Sequence, residues 1–191
     1  MNLEATEPSN TPGSPTFEPD RVLILSQASL RRTHDYFFPY WQAGVETACF
    51  WFGCEVQNYQ IVTTIAVPKL YQSPGNYKVD QSSWRRLVHS MRKQNLTNLA
   101  QVHTHPIDYG VNHSGYDDER SYSTKPGSLS LVWADYGRVG TFDLDGIGVH
   151  ERFGDEWVLL NNSKVAERIM VVDDFADFRW VIDNGGINDE E

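Results

Sequence analysis

Cysteine is scarce in this chain, with only Cys49 and Cys54 among 191 residues. Two thiols are too few for a disulfide framework or a thiolate zinc site. They stand five apart in an apolar run that reads as a strand, and an odd offset sends their side chains to opposite faces. Both therefore read as free thiols of a reducing compartment. Positive charge is also in short supply: 16 Lys and Arg against 26 Asp and Glu give a formal net charge of -10. A chain of that sign repels phosphate backbones, which argues against a general nucleic-acid binder. Its one basic cluster, Arg85, Arg86, Arg92 and Lys93, reads as the solvated face of a helix. No apolar run approaches the roughly 20 residues that span a bilayer. Residues 1–20 have neither the basic start nor the apolar core of a secretory signal. The expectation is a cytoplasmic protein with no membrane and no nucleic-acid partner.

What the sequence does hold is enough for a single well-packed domain: 40% hydrophobic residues and 13% aromatics, with six Trp. Residues 1–20 are rich in Pro, Ser, Thr and Glu without apolar periodicity and read as a disordered N-terminal tail. Residues 185–191 read as a short acidic tail, leaving 21–184 as the domain. Within it, Arg21–Leu25 reads as a first strand, and Ser26 or Ser29 as the cap of a helix running to about Trp41, with Pro39 near its end. Glu46–Gly53 and the β-branched stretch Asn58–Val67 read as strands, and Pro68–Asn76 as a loop. Asp80 or Ser82 opens a helix with Trp84, Leu87, Val88 and Met91 at helical spacing. Leu99–His105, Ser128–Ala134, Gly140–His150 and Trp157–Leu160 read as further strands, and Ala166–Trp180 as a closing helix or strand pair. Strands mixed with a few helices, without regular βαβ alternation, predict an α/β sheet between helices.

The chemistry concentrates in Gln101–Asp117, QVHTHPIDYGVNHSGYD. His103 and His105 are two apart at the end of a strand, so both imidazoles leave the same face. A catalytic zinc takes three protein ligands, commonly histidine with a carboxylate. From the residues alone the carboxylate is open among Asp108, Asp117, Asp118 and Glu119. His113 reads as a loop residue, and His34, His89 and His150 as structural histidines. There is no Ser-His-Asp or Cys-His nucleophile pattern and no phosphate-cradling glycine loop.

His103-Thr-His105-Pro106, seven residues, then Ser114-Gly-Tyr-Asp117 resembles the JAMM motif of the JAB1/MPN/Mov34 metallopeptidases. That pattern also has an upstream strand glutamate with a glycine seven positions on, which Glu46 and Gly53 match, although Cys49 stands where the family often has a small residue. The resemblance implies an MPN domain: a curved mixed β-sheet flanked by helices, similar to the cytidine-deaminase architecture. It implies one zinc ion per chain on His103, His105 and Asp117. It further implies Glu46 as the general acid/base and Ser114 as a hydrogen-bond donor to the oxyanion. From the residues, Ser114 as a helix cap and Glu46 as a structural ion-pair partner remain open. The implied reaction is hydrolysis of a peptide or isopeptide bond, with a protein or peptide substrate, often the C-terminus of a ubiquitin-like protein. A short chain without extra modules looks like the bacterial members, several of which act beside ubiquitin-transfer-like enzymes, including in antiphage systems. The segments Pro68–Asn76 and Asp118–Gly127 would flank the substrate groove. The alternatives are a zinc-retaining MPN scaffold that binds a protein partner, and a zinc hydrolase of small molecules or nucleobases. The second lacks its Cys-x-x-Cys signature here.

Overall fold

The alternation of side chains along one strand organises the molecule. In the computed structural model, which describes residues 21–119, 121–123, 125–138 and 143–174, strand β2 (Ala48–Val56) carries Cys49 and Trp51 to one face and Ala48, Phe50 and Phe52 to the other. Each set is fully buried, as period-two alternation requires of a strand covered on both sides. On the first face helix α1 (Gln27–Ala43) brings Leu30 and Phe37 against Trp51 and Trp133. On the second, a hairpin of β4 (Leu70–Ser73) and β5 (Asn76–Val79) and helix α2 (Gln81–Lys93) pack Tyr77, Val79, Trp84, Leu87 and Val88 over Phe50.

Strand β1 (Val22–Ser26) precedes α1, β3 (Tyr59–Ala66) follows β2, and β6 (Thr97–Thr104) follows α2. A short helix α3 (Gly115–Glu119) leads to β7 (Leu129–Trp133), then β8 (Ile147–Phe153), β9 (Glu156–Leu159), helix α4 (Asn162–Arg168) and β10 (Ile169–Val172). The sheet order is β10-β1-β3-β2-β6-β7-β8-β9, with parallel β10/β1, β1/β3 and β6/β7 pairs and the rest antiparallel. This is a mixed α/β fold with helices on both faces of an eight-stranded sheet. The sheet is curled. Arg168, next to edge strand β10, bonds both Gln60 of β3 (3.0 Å) and Glu151 of β8 (2.8 Å), which stand four places apart in strand order.

Several local expectations are refined. Ser26 caps α1 by accepting from the Ser29 amide at 3.1 Å, and the helix passes through Pro39 to end at Gly44, which adopts the left-handed conformation. Asp80 caps α2. The segment Pro68–Asn76, read as a loop, is largely the β4–β5 hairpin: its strands are four residues each, too short for a periodic signal. The closing element is both a helix and a strand, α4 and β10. Its expected remainder, the domain end at 184 and the two tails lie outside the described residues. Gly53 occupies a bulge in β2 where a side-chain Cβ would strike the Ile61 carbonyl, so only glycine fits there. No helix among the described residues is long and apolar enough to cross a membrane.

Candidate metal centre

The site begins with β6. Gln101 and His103 share the face that carries Tyr77 and the hairpin, and Ala48 of β2 pairs with His103 in register. His105, just past the strand, is tied to the end of β7 by its amide, which donates to the Trp133 carbonyl at 2.8 Å. Both imidazoles are buried, and both converge on Asp117, which is also buried.

Two imidazole nitrogens and the two oxygens of one carboxylate meet there. His103 Nε2 lies 3.3 Å from His105 Nε2 and 3.2 Å from Asp117 Oδ1; His105 Nε2 lies 3.2 Å from Asp117 Oδ2. Metal–ligand distances of about 2.0–2.1 Å in a tetrahedron put neighbouring ligands roughly 3.3 Å apart, the spacing seen here. His105 Nδ1 lies 3.2 Å from the Gly110 carbonyl, which can only accept, so that nitrogen carries the proton. In the neutral ring Nε2 is then a bare lone pair facing a carboxylate oxygen. Two acceptors at that distance repel unless a proton or a metal cation stands between them. A proton on His105 serves one contact, and a divalent cation serves all three residues at once. The donor set therefore fits a metal ion, and His103, His105 and Asp117 form a buried cluster able to bind one. Its N₂O composition suits zinc among the borderline cations. The Gly110 bond also orients His105 as ligating histidines usually are. His103 Nδ1 has no such partner among the described residues.

The ionisation states follow from the same geometry. Burial alone would raise the Asp117 carboxyl, but hydrogen bonds from His103 and His105 hold it far below the usual carboxylate range. Burial pushes His103 down; at His105 burial acts the same way, but the Asp117 hydrogen bond and charge outweigh it and the net shift is upward. Glu46, 7% exposed, is pushed up to about 7 by burial, with His105 opposing and the Asp117 charge assisting. It sits close enough to both residues to feel their charge, and its amide is fixed by a 2.9 Å bond to the Ser73 carbonyl of the hairpin.

Ser114 is turned toward the ligand. Its Oγ and its backbone N–H both donate to Asp117 Oδ2 at 2.7 Å. The backbone contact is half of a capping box, with Asp117 at the third helical position reaching back to the residue before α3. The serine thus orients Asp117 in this structure, and the alternative left open for it, a helix cap by its own hydroxyl, is not among the described contacts. Asp108, Asp118 and Glu119 stay exposed and outside the cluster.

Two histidines that the sequence did not connect belong to the same neighbourhood. The rings of His113 and His150 stack at 3.8 Å and 18°, and His113 lies 5.8 Å from the His103 ring. Burial, then the neighbouring imidazoles, push both down to about 3, so both are neutral. Nothing in a sequence separation of 37 residues could reveal this pair; it depends on β8 crossing beneath the loop. Asp117 also lines a shallow recess with Asn76, Tyr77, Tyr116 and Tyr122. That recess holds only about 10 Å³; separate cavities of about 220 Å³ along the hairpin and about 410 Å³ beside Trp84 and Tyr122 share some of its lining residues.

No protein-family model matches the chain, and no curated protein matches it in sequence. In structure it is similar to the solution structure of a protein from Desulfitobacterium hafniense, with a TM-score of 0.57, 16% identity, and coverage of 81% of this chain and 96% of that one. A solution structure from Salinibacter ruber matches at TM-score 0.47 and 16% identity over 72% of this chain and 88% of that one. At such identity the first likeness speaks for the fold alone: the mixed α/β arrangement is one that another chain also adopts.

Proposed function

We propose that this chain is a zinc-dependent hydrolase of peptide or isopeptide bonds, an MPN domain of the JAMM type related in architecture to the cytidine deaminases. The observation that carries the reading is the convergence of His103 Nε2, His105 Nε2 and the Asp117 carboxylate on one buried point, which a single divalent cation would satisfy at every contact. His103, His105 and Asp117 would hold the zinc. When bound, zinc supplies Lewis acidity, polarising a carbonyl and lowering the pKa of water toward 7.

The other residues then have defined tasks. Glu46, with its carboxyl held near neutrality by burial, takes a proton at its carboxylate and returns it to the departing amine, as a general acid/base poised near the working pH should. Ser114 keeps Asp117 oriented and, by rotation of its Oγ, can donate to an oxyanion. The recess along Tyr71, Gln72, Asn76 and Tyr77 lies beside the site and would take an extended chain once the residues over Asp117 give way. A protein or peptide substrate such as the C-terminus of a ubiquitin-like protein, in a bacterial conjugation or antiphage setting, fits this reading. The segments 68–76 and 118–127 would flank the chain on either side.

Incubating the zinc-loaded protein with peptide and isopeptide-linked ubiquitin-like substrates, alongside Glu46→Gln, tests the proposal. Cleavage by the wild type and not by the variant supports it. Full zinc occupancy without cleavage of any substrate points to the partner-binding scaffold instead.

A further inference from the structure

Ser114 and Asp117 sit on a stretch, residues 105–118, whose regular structure begins only at Gly115. Something other than secondary structure must hold it. His113 is the side chain that enters the protein: it is 6% exposed and engaged on every edge. Its Nδ1 lies 3.0 Å from Asp118 Oδ1, and because a carboxylate only accepts, Nδ1 carries the proton. The bare Nε2 then accepts from Ser130 Oγ at 2.9 Å, on β7. The ring stacks on His150 of β8, whose Nε2 accepts from the His113 backbone N–H at 3.3 Å, and the Trp157 ring meets it edge-on at 5.3 Å. A second observation concerns the same loop. At Gly148 of β8 a Cβ would strike the Val111 carbonyl, so the loop lies directly on the strand only because that position is glycine.

The Asp118–His113–Ser130 series has the polarity of a hydrolytic triad, but its accessibility decides against that use. Ser130 is 1% exposed in the middle of β7, with β6 and β8 paired on either side, so no substrate carbonyl can reach its Oγ. The series is an anchor.

We infer that His113 is a positioning residue, which bolts the ligand-bearing loop to β7 and β8 and thereby sets the metal affinity of the His103–His105–Asp117 cluster. Ser114 is the next residue, and its N–H and Oγ fix Asp117 Oδ2. Releasing His113 therefore frees the turn that aims the third ligand, and metal binding must then order it. The inference rests on the metal-centre reading above.

Zinc affinity is measured by competition with a chromophoric chelator on wild type, His113→Phe and Ser130→Ala, together with the melting temperature of each metal-free protein. Phe keeps the stack on His150 and removes both side-chain hydrogen bonds; Ala removes one bond and little volume. Loss of a partner bonded directly to a ligand typically weakens binding ~10–100-fold; His113 acts through Ser114, one step further out, so a loss at the lower end, ~10-fold, is expected for His113→Phe, with a smaller loss in the same direction for Ser130→Ala. A merely structural role would lower melting temperature and leave affinity alone. If His113→Phe does not fold, Ser130→Ala carries the test. A folded variant that binds zinc within twofold of wild type overturns the inference while leaving the metal centre standing. Wild-type protein that binds no zinc overturns both.

Discussion

At His105 a single hydrogen bond, Nδ1–H to the Gly110 carbonyl, determines which nitrogen is free to bind. With Nε2 turned to the ionised Asp117, removing any one of His103, His105 and Asp117 leaves two ligands for a site that would need three. Asp117→Ala and His103→Ala are therefore expected to lower zinc content to background and abolish hydrolysis together, which elemental analysis and turnover check on the same sample. Glu46 should behave oppositely. Glu46→Gln keeps shape but cannot take the proton, so it is expected to keep its zinc while losing at least ~10²-fold in turnover. Its pH signature has a definite sign. The folded-state value is raised from 4.5 to about 7, so the stability that protonated Glu46 contributes is present below 4.5 and is lost as pH rises through 7. In the metal-free protein Glu46→Gln should gain on wild type across that window in denaturant unfolding. A gain confined to acid instead would contradict the burial argument.

Among the elements, the β4–β5 hairpin matters most to the site, and it illustrates what a sequence conceals. Three side-chain ties hold it near the metal cluster: Gln101 Nε2 donates to Tyr77 Oη at 2.7 Å, Gln72 Nε2 to Thr47 Oγ1 at 2.6 Å, and Tyr136 Oη to the Pro74 carbonyl at 2.9 Å. Gln101 also accepts from the Tyr122 amide at 3.1 Å, so one buried amide links strand β5 of the hairpin to the segment 118–127. Gln101→Ala should speed hydrogen exchange in 70–79 and around 122 while zinc stays bound; unchanged protection in both segments would show that the link carries no load. The long strands and both main helices were legible because their apolar periods run over eight residues or more. His103 and His105 were legible as a pair because strand alternation alone puts them on one face. The hairpin was not, since four-residue strands leave no period to read. Neither were the His113–His150 stack nor the inward turn of Ser114, because both depend on which strand the loop crosses. Asp117 could be separated from Asp108, Asp118 and Glu119 by motif resemblance, but only the fold shows that it alone is buried with the histidines.

For the molecule as a whole, the curl of the sheet is fastened by one buried cation. Arg168, 2% exposed, donates to Glu151, Gln60 and the Gly127 carbonyl, joining β8, β3 and the turn before β7. Arg168→Met leaves Glu151 buried without its partner. That costs ~3–5 kcal/mol, or roughly 6–20 °C in melting temperature for a chain of this size; calorimetry showing no loss would mean that the curl is held by apolar packing alone. The curl also brings β6, β7 and β8 under the loop that carries Asp117, so the same global shape that closes the core assembles the cluster. The central claim is that this assembly is a one-ion zinc centre with a position left for water. Metal content of the purified, chelator-free protein by elemental mass spectrometry tests it most directly. About one zinc per chain, lost in Asp117→Ala, is the predicted result. No zinc after exposure to a slight excess of the ion, or a full second equivalent, would contradict it.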